Sequence, residues 1–345
     1  MKILMIGLGS IGQRHLRNIR RLYGDAPEIL AYRVRGLART FSDTMQIREN
    51  VSLEEEYHVT SFDDLDRALA EKPEIAFITN ITKSHIPCAL ACAKAGCHLF
   101  LEKPISDSME GIDELAGIVR EKNLKVFVGY QNRFHPGIQY LKEFLAAGTI
   151  GHVLSVRSVV GERLVTMHTY EDYKETYMAR KDMGGGVLLN QMVHELDYLQ
   201  YLFGMPDSVY ACGGINGNLG IDVEDNLDAI YRYETETGSF PVSVHADFYQ
   251  SPPSRFIKVV GEKGHIVVDL LKAAVLQAVG DEVGTISYEE FTRNDMFLDE
   301  LRLFMECVTE DKEPAIPLAD GIKSLRMALA ARKSRETGGV IHEFA

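Results

Sequence analysis

The sequence lacks long apolar runs and has no surplus of positive charge. None of its apolar stretches reaches the ~18 residues that a membrane-spanning helix needs. Among its 345 residues, 50 acidic side chains outnumber 37 basic ones, which gives a net charge of −13. A nucleic-acid-binding surface needs basic side chains that replace phosphate counterions. We therefore expect neither a membrane nor a nucleic acid as a partner.

Cysteine is scarce, and its spacing is unlike that of a disulfide framework. The chain has 5 cysteines, none of which forms a CxxC pair, and an odd number does not suit paired disulfides. A reducing cytoplasm is the simplest setting, and we predict that location. His85, Cys88 and Cys92 share one helical face, a spacing that metal ligands also use. Because small thiols pack well on a buried face and no fourth ligand is near, we predict no metal site.

Up to Gly129 the chain alternates short apolar runs with amphipathic segments. The first run, in MKILMIGLGS, is broken by glycines and predicts a buried strand, not a signal peptide. Alternating strand and helix patterns with apolar strands predict a parallel sheet covered by helices on both faces. The predicted strands are 2–6, 29–33, 59–61, 75–79, 98–101 and 125–129, and the predicted helices are 11–23, 63–71, 84–95 and 107–123.

After Gly129 the pattern changes to successive strands joined by short loops, which predicts a mostly antiparallel sheet. We therefore predict two domains in an α/β chain: a doubly wound parallel sheet over 1–128, and an α+β domain with an open sheet over 129–345. The sequence leaves open on which of the two domains the last helix packs. An apolar open face would be buried by a twofold copy, so we expect a homodimer or homotetramer. The predicted strands are 152–160, 208–212, 228–233, 239–247, 256–261 and 265–269, and the predicted helices are 136–147, 187–202, 295–309 and 318–332.

The first strand leads into the pattern GxGxxG, formed by Gly7, Gly9 and Gly12 with Ser10 and Ile11 between them. The first glycine permits a tight turn, the second lets the backbone approach a pyrophosphate, and the third lets the helix pack closely. The helix N-terminus adds free N–H groups and partial positive charge. Between a strand and an amphipathic helix, the pattern predicts a Rossmann dinucleotide site. The alternative is a glycine-rich turn without a ligand.

The end of the second strand indicates which dinucleotide binds. An acidic residue there would hold the ribose 2′-hydroxyl, but the chain has Tyr32 and Arg33, followed by Arg35 and Arg39. A guanidinium matches a phosphate in charge and geometry. We therefore predict NAD(P) as the cofactor and favour NADP. The alternative is that these arginines form a solvated loop.

More polar residues follow the next two strands at the carboxyl edge, where ligands of such sheets lie. Asn80, Thr82 and His85 are predicted to line the cofactor groove, with helix capping as the alternative for His85. The next strand ends in Glu102-Lys103-Pro104. Lys103 is placed to bind a substrate hydroxyl and to stabilise an alkoxide. The alternative is a surface lysine. We predict that the proline fixes the local turn, and a cis peptide bond before it is one way in which it could do so.

A second cluster lies in MGGGVLLNQMVHELDYL, residues 183–199. On a helix, Asn190 and His194 are four residues apart and share a face, and Asp197 follows three residues after the histidine. An imidazole can accept a proton near neutral pH, as alcohol oxidation requires. We predict His194 as the catalytic base and Asn190 as a substrate ligand. The alternative is a histidine that only packs.

These motifs together resemble those of the Gfo/Idh/MocA oxidoreductases. The resemblance implies an N-terminal Rossmann domain, a C-terminal open-sheet domain and a substrate pocket over the nicotinamide. It also implies that Lys103 lies near substrate and nicotinamide, and that His194 is the acid/base. Asn190 stands where many members have aspartate, and Met192 replaces a common glycine. The matching segments are GLGSIG with His15 beyond it, HLFLEKP, NRFHP at 132–136, GGGVLLNQMVHELD and PLADGIKSLRMALAARKS.

The stretch GERLVTMHTYEDYKETYMARKDMGGG resembles a branch of the family associated with surface-polysaccharide and sugar-nucleotide pathways. Tyr177 and Arg180, with Lys181, precede the glycine run, and we predict that the first two bind substrate, since arginine offers bidentate donors. The alternative is a solvated loop. We also assign Glu102, Lys103 and Gln131 to the cofactor site.

The function that we expect is hydride transfer between NAD(P) and a secondary alcohol or ketone of a sugar or sugar derivative. One alternative is a glycosidase or lyase that oxidises and re-reduces its sugar with a tightly bound, recycled NAD. Another is a dinucleotide-binding regulator without catalysis, against which the presence of Lys103 and His194 argues.

Overall fold

The computed structural model describes residues 1–34, 36, 39–42, 46–49, 51–236 and 238–344. Within these ranges, none of the helices combines the length and the apolar character needed to cross a membrane. Contacts divide the chain into two compact units. The first comprises Met1–Tyr130 and Arg293–Ile322, and the second comprises Gln131–Thr292 and Lys323–Ala345.

The first unit is built on the predicted doubly wound parallel sheet. Its strand order is β5-β2-β1-β6-β7-β8, and every neighbouring pair is parallel. All residues of the apolar β6 are buried, as expected for a strand covered on both faces. The elements are β1 (Lys2–Ile6), α1 (Ser10–Tyr23), β2 (Glu28–Tyr32), β3 (Arg39–Phe41), β4 (Ile47–Glu49), α2 (Leu53–Tyr57), β5 (Val59–Phe62), α3 (Leu65–Ala70), β6 (Ile75–Ile78), α4 (His85–Ala95), β7 (His98–Glu102), α5 (Ile112–Glu121) and β8 (Val126–Gly129).

Four elements of this unit differ from the prediction. The hairpin of β3 and β4 and the short helix α2 were not predicted. Helix α5 begins at Ile112, five residues later than predicted. Gly111 precedes it with a φ of 75°, a left-handed conformation that only glycine adopts readily. The helix starts where that turn ends.

The second unit contains an eight-stranded sheet of order β10-β11-β12-β9-β13-β14-β15-β16. Neighbouring strands are antiparallel except β12 and β9, which are parallel. The sheet is thus mostly antiparallel, as predicted, with two further strands at one edge. The elements are α6 (Pro136–Ala146), β9 (Val153–Gly161), α7 (Leu164–Met167), α8 (Val193–Phe203), β10 (Ser208–Gly214), β11 (Asn226–Thr235), β12 (Gly238–Asp247), β13 (Ser254–Gly261), β14 (Gly264–Asp269), β15 (Ala274–Val279) and β16 (Glu282–Ser287).

The two faces of this sheet differ in burial. On one face, the paired residues Ala229 and Val244 are buried. On the other, Tyr210 pairs with Ile230, and the two are 43% and 52% exposed. Side chains alternate between the faces along a strand, so the second face is the open one.

The chain then returns to the first unit through α9 (Arg293–Thr309). Phe304 of this helix packs against Phe77 and Phe100, with ring centroids 5.6 and 5.5 Å away. The last helix, α10 (Leu318–Thr337), begins in the first unit and belongs to the second from Lys323 onward. The predicted second domain runs without interruption from residue 129. The prediction therefore did not include the return of α9 to the first unit.

Candidate active site

The turn after β1 is shaped by close backbone contacts. The φ of Gly7 is 88°, and a Cβ atom on Gly12 would lie 2.2 Å from the carbonyl oxygen of Gly7. The Thr79 hydroxyl donates to that same carbonyl at 2.6 Å. Around Gly9, by contrast, a Cβ atom would meet none of the described residues within 4 Å. The turn is therefore tight at its first and third glycines and open at the second.

Helix α1 begins directly after this turn, at Ser10, with Ile11 and Gly12 in its first turn. Gly9 is the N-cap and offers no side-chain cap, and the first turn has no acidic residue. The first N–H groups of a helix lack partners within the helix, and they attract anions. These residues fit the pyrophosphate of a dinucleotide.

At the end of β2, the Gly7 N–H donates to the Tyr32 carbonyl at 3.2 Å, so this end adjoins the glycine turn. The guanidinium of Arg33 is bound to the Glu54 carboxylate. The guanidinium of Arg39 lies over the Phe41 ring, 5.4 Å from its centroid. Arg35 lies outside the described residues. The prediction for Arg33 did not include its acidic partner.

The residues after β6 are held against the same turn. A Cβ atom on Gly7 would lie 2.9 Å from the Cα of Asn80, and Thr82 is buried in a 3₁₀ turn. His85 is buried, with Nδ1 2.8 Å from the Pro104 carbonyl oxygen and Nε2 3.1 Å from that of Asn80. Burial lowers the pKa of His85. Its ring joins the ends of β6 and β7, which favours a positioning role over ligand contact.

Glu102, Lys103 and Pro104 follow at the end of β7. The Lys103–Pro104 peptide bond is cis. Glu102 is buried; its Oε2 accepts the Lys103 N–H at 3.2 Å, and its Oε1 lies 2.7 Å from His15 Nε2. The carboxylate thus fixes the backbone at the lysine.

His15, Glu102 and Glu300 form one group with metal-ligand chemistry in the described part of the chain, with ligand atoms within 4.8 Å of one another. Burial, together with the charge of Glu102, raises the pKa of Glu300 well above its usual value. The other two residues are already bonded to each other, and Phe100 packs 4.7 Å from the His15 ring. A protonated acid beside a hydrogen-bonded pair fits a polar network better than a metal site.

In the second unit, the glycine run is bound to the loop before it. The N–H groups of Gly185 and Gly186 donate to the carbonyls of Arg180 and Met178 at 3.0 and 2.9 Å. A Cβ atom on Gly185 would lie 2.4 Å from the Tyr177 carbonyl oxygen. The predicted substrate ligands Tyr177 and Arg180 therefore lie on a loop that packs against the entry to the Asn190 and His194 segment.

That segment is not a single α-helix. Residues Leu188–Met192 form a π-helical turn, and α8 follows from Val193. π-Helical turns are rare and are often found at functional sites. Asn190 is half-buried within this turn, and His194 is buried in the first turn of α8.

The two acidic residues of α8 are bound to arginines. Asp197 binds Arg133 through two contacts of 2.8 Å and accepts the Ser324 hydroxyl at 3.0 Å. Glu195 binds Arg255 through contacts of 2.8 and 3.1 Å. Both carboxylates are buried. They hold α8 in place within its unit.

Arg180 is also paired with acidic residues. Its guanidinium donates to both carboxylate oxygens of Asp182, at 3.0 and 2.9 Å, and to Glu175 at 3.1 Å. An anionic substrate would compete with these carboxylates. Tyr177 is partly exposed, and Gln131 is buried at the start of a 3₁₀ turn, Gln131–Phe134.

Sequence reasoning missed two residues that shape these segments. Thr79 holds the glycine turn, and Glu224 packs against the glycine run, where a Cβ atom on Gly186 would lie 2.2 Å from its Oε1. The Val187 N–H donates to the Glu224 carbonyl at 3.0 Å. The position of Thr79 at the carboxyl end of an apolar strand was a usable signal; Glu224 offered none.

Comparison with known families matches two models to this chain. Residues 1–130 match the oxidoreductase family with an NAD-binding Rossmann fold, and residues 138–267 match the GFO/IDH/MocA C-terminal domain. The chain is 26% identical to myo-inositol 2-dehydrogenase of Thermotoga maritima, over 97% of this chain and 96% of that protein.

Solved structures share the fold over nearly the whole chain. Levoglucosan dehydrogenase in complex with NADH and levoglucosan superposes with a TM-score of 0.83 at 18% identity, covering 99% of this chain and 98% of that one. The WlbA dehydrogenase from Bordetella pertussis, in complex with NADH and UDP-GlcNAcA, gives 0.80 at 22% identity, covering 99% and 98%. The chain belongs to the Gfo/Idh/MocA oxidoreductase family, and its first domain is an NAD(P)-binding Rossmann domain.

Proposed function

We propose that this chain is an NAD(P)-dependent dehydrogenase that interconverts a secondary alcohol and a ketone on a sugar or sugar derivative. The observation that carries the proposal is the glycine turn, which is closed around Gly12 and open at Gly9. It fits a dinucleotide pyrophosphate. The substrate class rests on the relatives, whose names specify an inositol, levoglucosan and a nucleotide sugar.

NAD(P), when bound, accepts or returns the hydride of the substrate. Gly7, Gly9, Ser10, Ile11 and Gly12 would bind its pyrophosphate. The residues at and after the ends of β2, β6, β7 and β8 would flank the rest of the cofactor. We assign those contacts to Tyr32, Arg33, Asn80, Thr82, Glu102, Lys103 and Gln131, with His85 positioning the loop.

We propose His194 as the group that takes the hydroxyl proton when the alcohol is oxidised and returns it in the reverse direction. Its location beside a π-helical turn supports this role. Lys103 donates a hydrogen bond to the same oxygen and stabilises the charge that develops there. Asn190 orients the substrate through hydroxyl groups, since an amide is not a base.

Tyr177 and Arg180 complete the proposed substrate contacts. Arg180 is held by Asp182 and Glu175, so its fork is fixed in position before a ligand arrives. A phosphate or carboxylate would need to displace one of these acids. A neutral sugar avoids this competition and is the simpler form of the proposal; a nucleotide sugar is the more specific form.

The test is a panel of inositols, sugars and nucleotide sugars with NAD and NADP, followed by absorbance of the reduced nicotinamide. His194→Ala and Lys103→Ala should each lower kcat by about 10²-fold or more while cofactor binding is retained. Rates like those of the unaltered chain in both variants would overturn the assignment. Product formation without net change in absorbance would instead support a recycled cofactor.

We also propose that the open face of the second unit's sheet binds a second copy of the chain. Tyr210, Ile230 and Leu276 stand on this face and are 43%, 52% and 38% exposed. These apolar side chains lie in the outer parts of one row of paired residues that crosses the sheet. Arg157 and Lys258 lie in the middle of that row. A twofold copy would cover these apolar side chains.

Sedimentation of the whole chain should show a homodimer or homotetramer. Ile230→Glu should shift the protein to a smaller species, because it places a charge in the apolar part of the face. Thr235→Glu, at the end of the same strand, is a control that should leave the assembly unchanged. A monomer at all concentrations would contradict the proposal.

We propose a cytoplasmic location because of the state of the cysteines. All five are free thiols, and four of them are buried. Proteins of reducing compartments keep their thiols in this form. Retention in the soluble cytoplasmic fraction on cell fractionation would support the proposal.

A further inference from the structure

The end of β2 lies at the glycine turn and is fixed there by backbone hydrogen bonds. The Tyr32 carbonyl accepts the Gly7 N–H at 3.2 Å, and the Arg33 N–H donates to the Phe62 carbonyl at 2.9 Å. In this fold, the residue at this place contacts the adenosine ribose. Side chains that surround Arg33 are therefore placed to contact the ribose.

Three donors converge on one carboxylate at this place. Glu54 on α2 accepts the Arg33 guanidinium and the Ser61 hydroxyl, the latter at 2.6 Å, through Oε1. The Ser52 hydroxyl donates to its Oε2 at 3.2 Å. Ser61 lies on β5, where it pairs with Ala31 of β2. The carboxylate thus stands beside the strand end although it comes from a later helix.

The pair is well held. The Arg33 side chain is 10% exposed and that of Glu54 is 38% exposed. Burial alone would raise the pKa of Glu54, but the hydrogen bond from Ser61 and the pairing with Arg33 outweigh it and lower the pKa. Glu54 is therefore a carboxylate at neutral pH, and Arg33 is committed to it.

We infer that Glu54 supplies, from outside β2, the acidic group that selects NAD over NADP. The inference rests on the proposed dinucleotide function. A ribose 2′-hydroxyl can donate to the carboxylate. A 2′-phosphate would be repelled by it, and would gain Arg33 only by breaking the existing pair. The preference for NADP expected from the sequence counted the arginine without its partner.

The experiment is a titration of the full chain with NADH and with NADPH, followed by nicotinamide fluorescence. The chain has no tryptophan, so indole emission does not interfere. We expect the Kd for NADPH to exceed that for NADH by about tenfold or more. Glu54→Gln keeps the shape and removes the charge, and it should shift the ratio towards NADPH by about tenfold.

Two further variants make the result specific. Arg33→Gln added to Glu54→Gln should abolish the gain in NADPH affinity, because the released guanidinium is its source. Glu55→Gln is the matched control: it removes the same charge from an exposed neighbour on the same helix, and it should leave the ratio unchanged.

The inference is overturned if the unaltered chain binds NADPH as tightly as NADH. It is also overturned if Glu54→Gln, with an unchanged circular dichroism spectrum, leaves the ratio where it was. Either result would leave the proposed dehydrogenase function intact, since a dinucleotide still binds. Binding of neither cofactor would overturn that function and this inference with it.

Discussion

The Nε2 atom of His15 lies 2.7 Å from Oε1 of Glu102, and both side chains are buried. The other oxygen of Glu102 accepts the Lys103 N–H. Both carboxyl oxygens of Glu300, which is also fully buried, have no hydrogen-bond partner in the described part of the chain. Two buried carboxyl groups thus lie close together in different surroundings: Glu102 is hydrogen-bonded through both oxygens, and burial beside it raises the pKa of Glu300, which favours the neutral acid.

This difference predicts unequal responses to the same substitution. Glu300→Gln should change the free energy of unfolding by less than about 1 kcal/mol, because a neutral amide replaces a neutral acid. Glu102→Gln should cost about 2 kcal/mol, because an amide has one acceptor oxygen and leaves one of the two hydrogen-bond partners of Glu102 unpaired. Urea unfolding measures both. A larger loss for the Glu300 variant than for the Glu102 variant would contradict a neutral Glu300.

The stability of the second unit should depend on the protonation of His135. This residue caps α6 by accepting the Gly137 N–H at 3.1 Å, and it is buried. Burial lowers its pKa to about 4, below the ordinary value of about 6.5. A depressed pKa contributes stability that is present above the ordinary value and is lost as pH falls through the folded value. The loss should reach roughly 3 kcal/mol between about pH 6.5 and pH 4.

His135→Asn isolates that contribution, since asparagine is a good N-cap and does not titrate. Other groups also titrate in this range, so the relevant quantity is the difference between the two proteins. As the pH is lowered, the unfolding free energy measured by urea should fall less in the variant than in the unaltered protein. Parallel pH curves for the two proteins would refute the prediction.

Gly186→Ala should destabilise the second unit more than alanine at an open glycine does. A Cβ atom there would lie 2.2 Å from Glu224 Oε1, and the φ of 106° disfavours any other residue. The buried Glu224 carboxylate, which binds Arg335, would have to shift. Gly204→Ala is the matched control, because its φ is 80° but its Cβ atom would meet none of the described residues within 4 Å. The control should cost about 1 kcal/mol, and the Gly186 variant should cost more. Equal melting temperatures of the two variants would contradict the proposed clash.

Asp197 should act on stability rather than on proton transfer. Asp197→Asn breaks the buried bidentate contact with Arg133 and should cost about 3 kcal/mol. The pH profile of kcat in the folded variant should stay unchanged. Glu195→Gln, which breaks the contact with Arg255 on the same helix, is the control and should behave alike. A shifted profile for the Asp197 variant alone would place this carboxylate in the proton path of His194.

The main strands could be predicted because their burial is encoded locally. Apolar runs such as β1 and β6 are buried on both faces and carry a continuous signal. The hairpin of β3 and β4 has only three residues in each strand. β16 is largely exposed, so its sequence has little alternation to detect. Exposure removed the pattern on which prediction depends.

The candidate site was predictable only where one segment forms it alone. The glycine turn and the spacing of Asn190 and His194 are local, although the π-helical turn changes their register. Glu54 and Glu224 act through partners distant in sequence. Their pairing depends on the fold, so composition and spacing gave no sign of it. The contact between Arg33 and Glu54 is one such pairing.

The return of α9 to the first unit bears on how the protein is made. During synthesis, residues 1–130 leave the ribosome long before Phe304 exists to cover the rings of Phe77 and Phe100. While residues 131–292 are translated, the nucleotide-binding unit therefore has an uncovered apolar surface. The unit that is made first is completed only after the sheet of the second unit has been made.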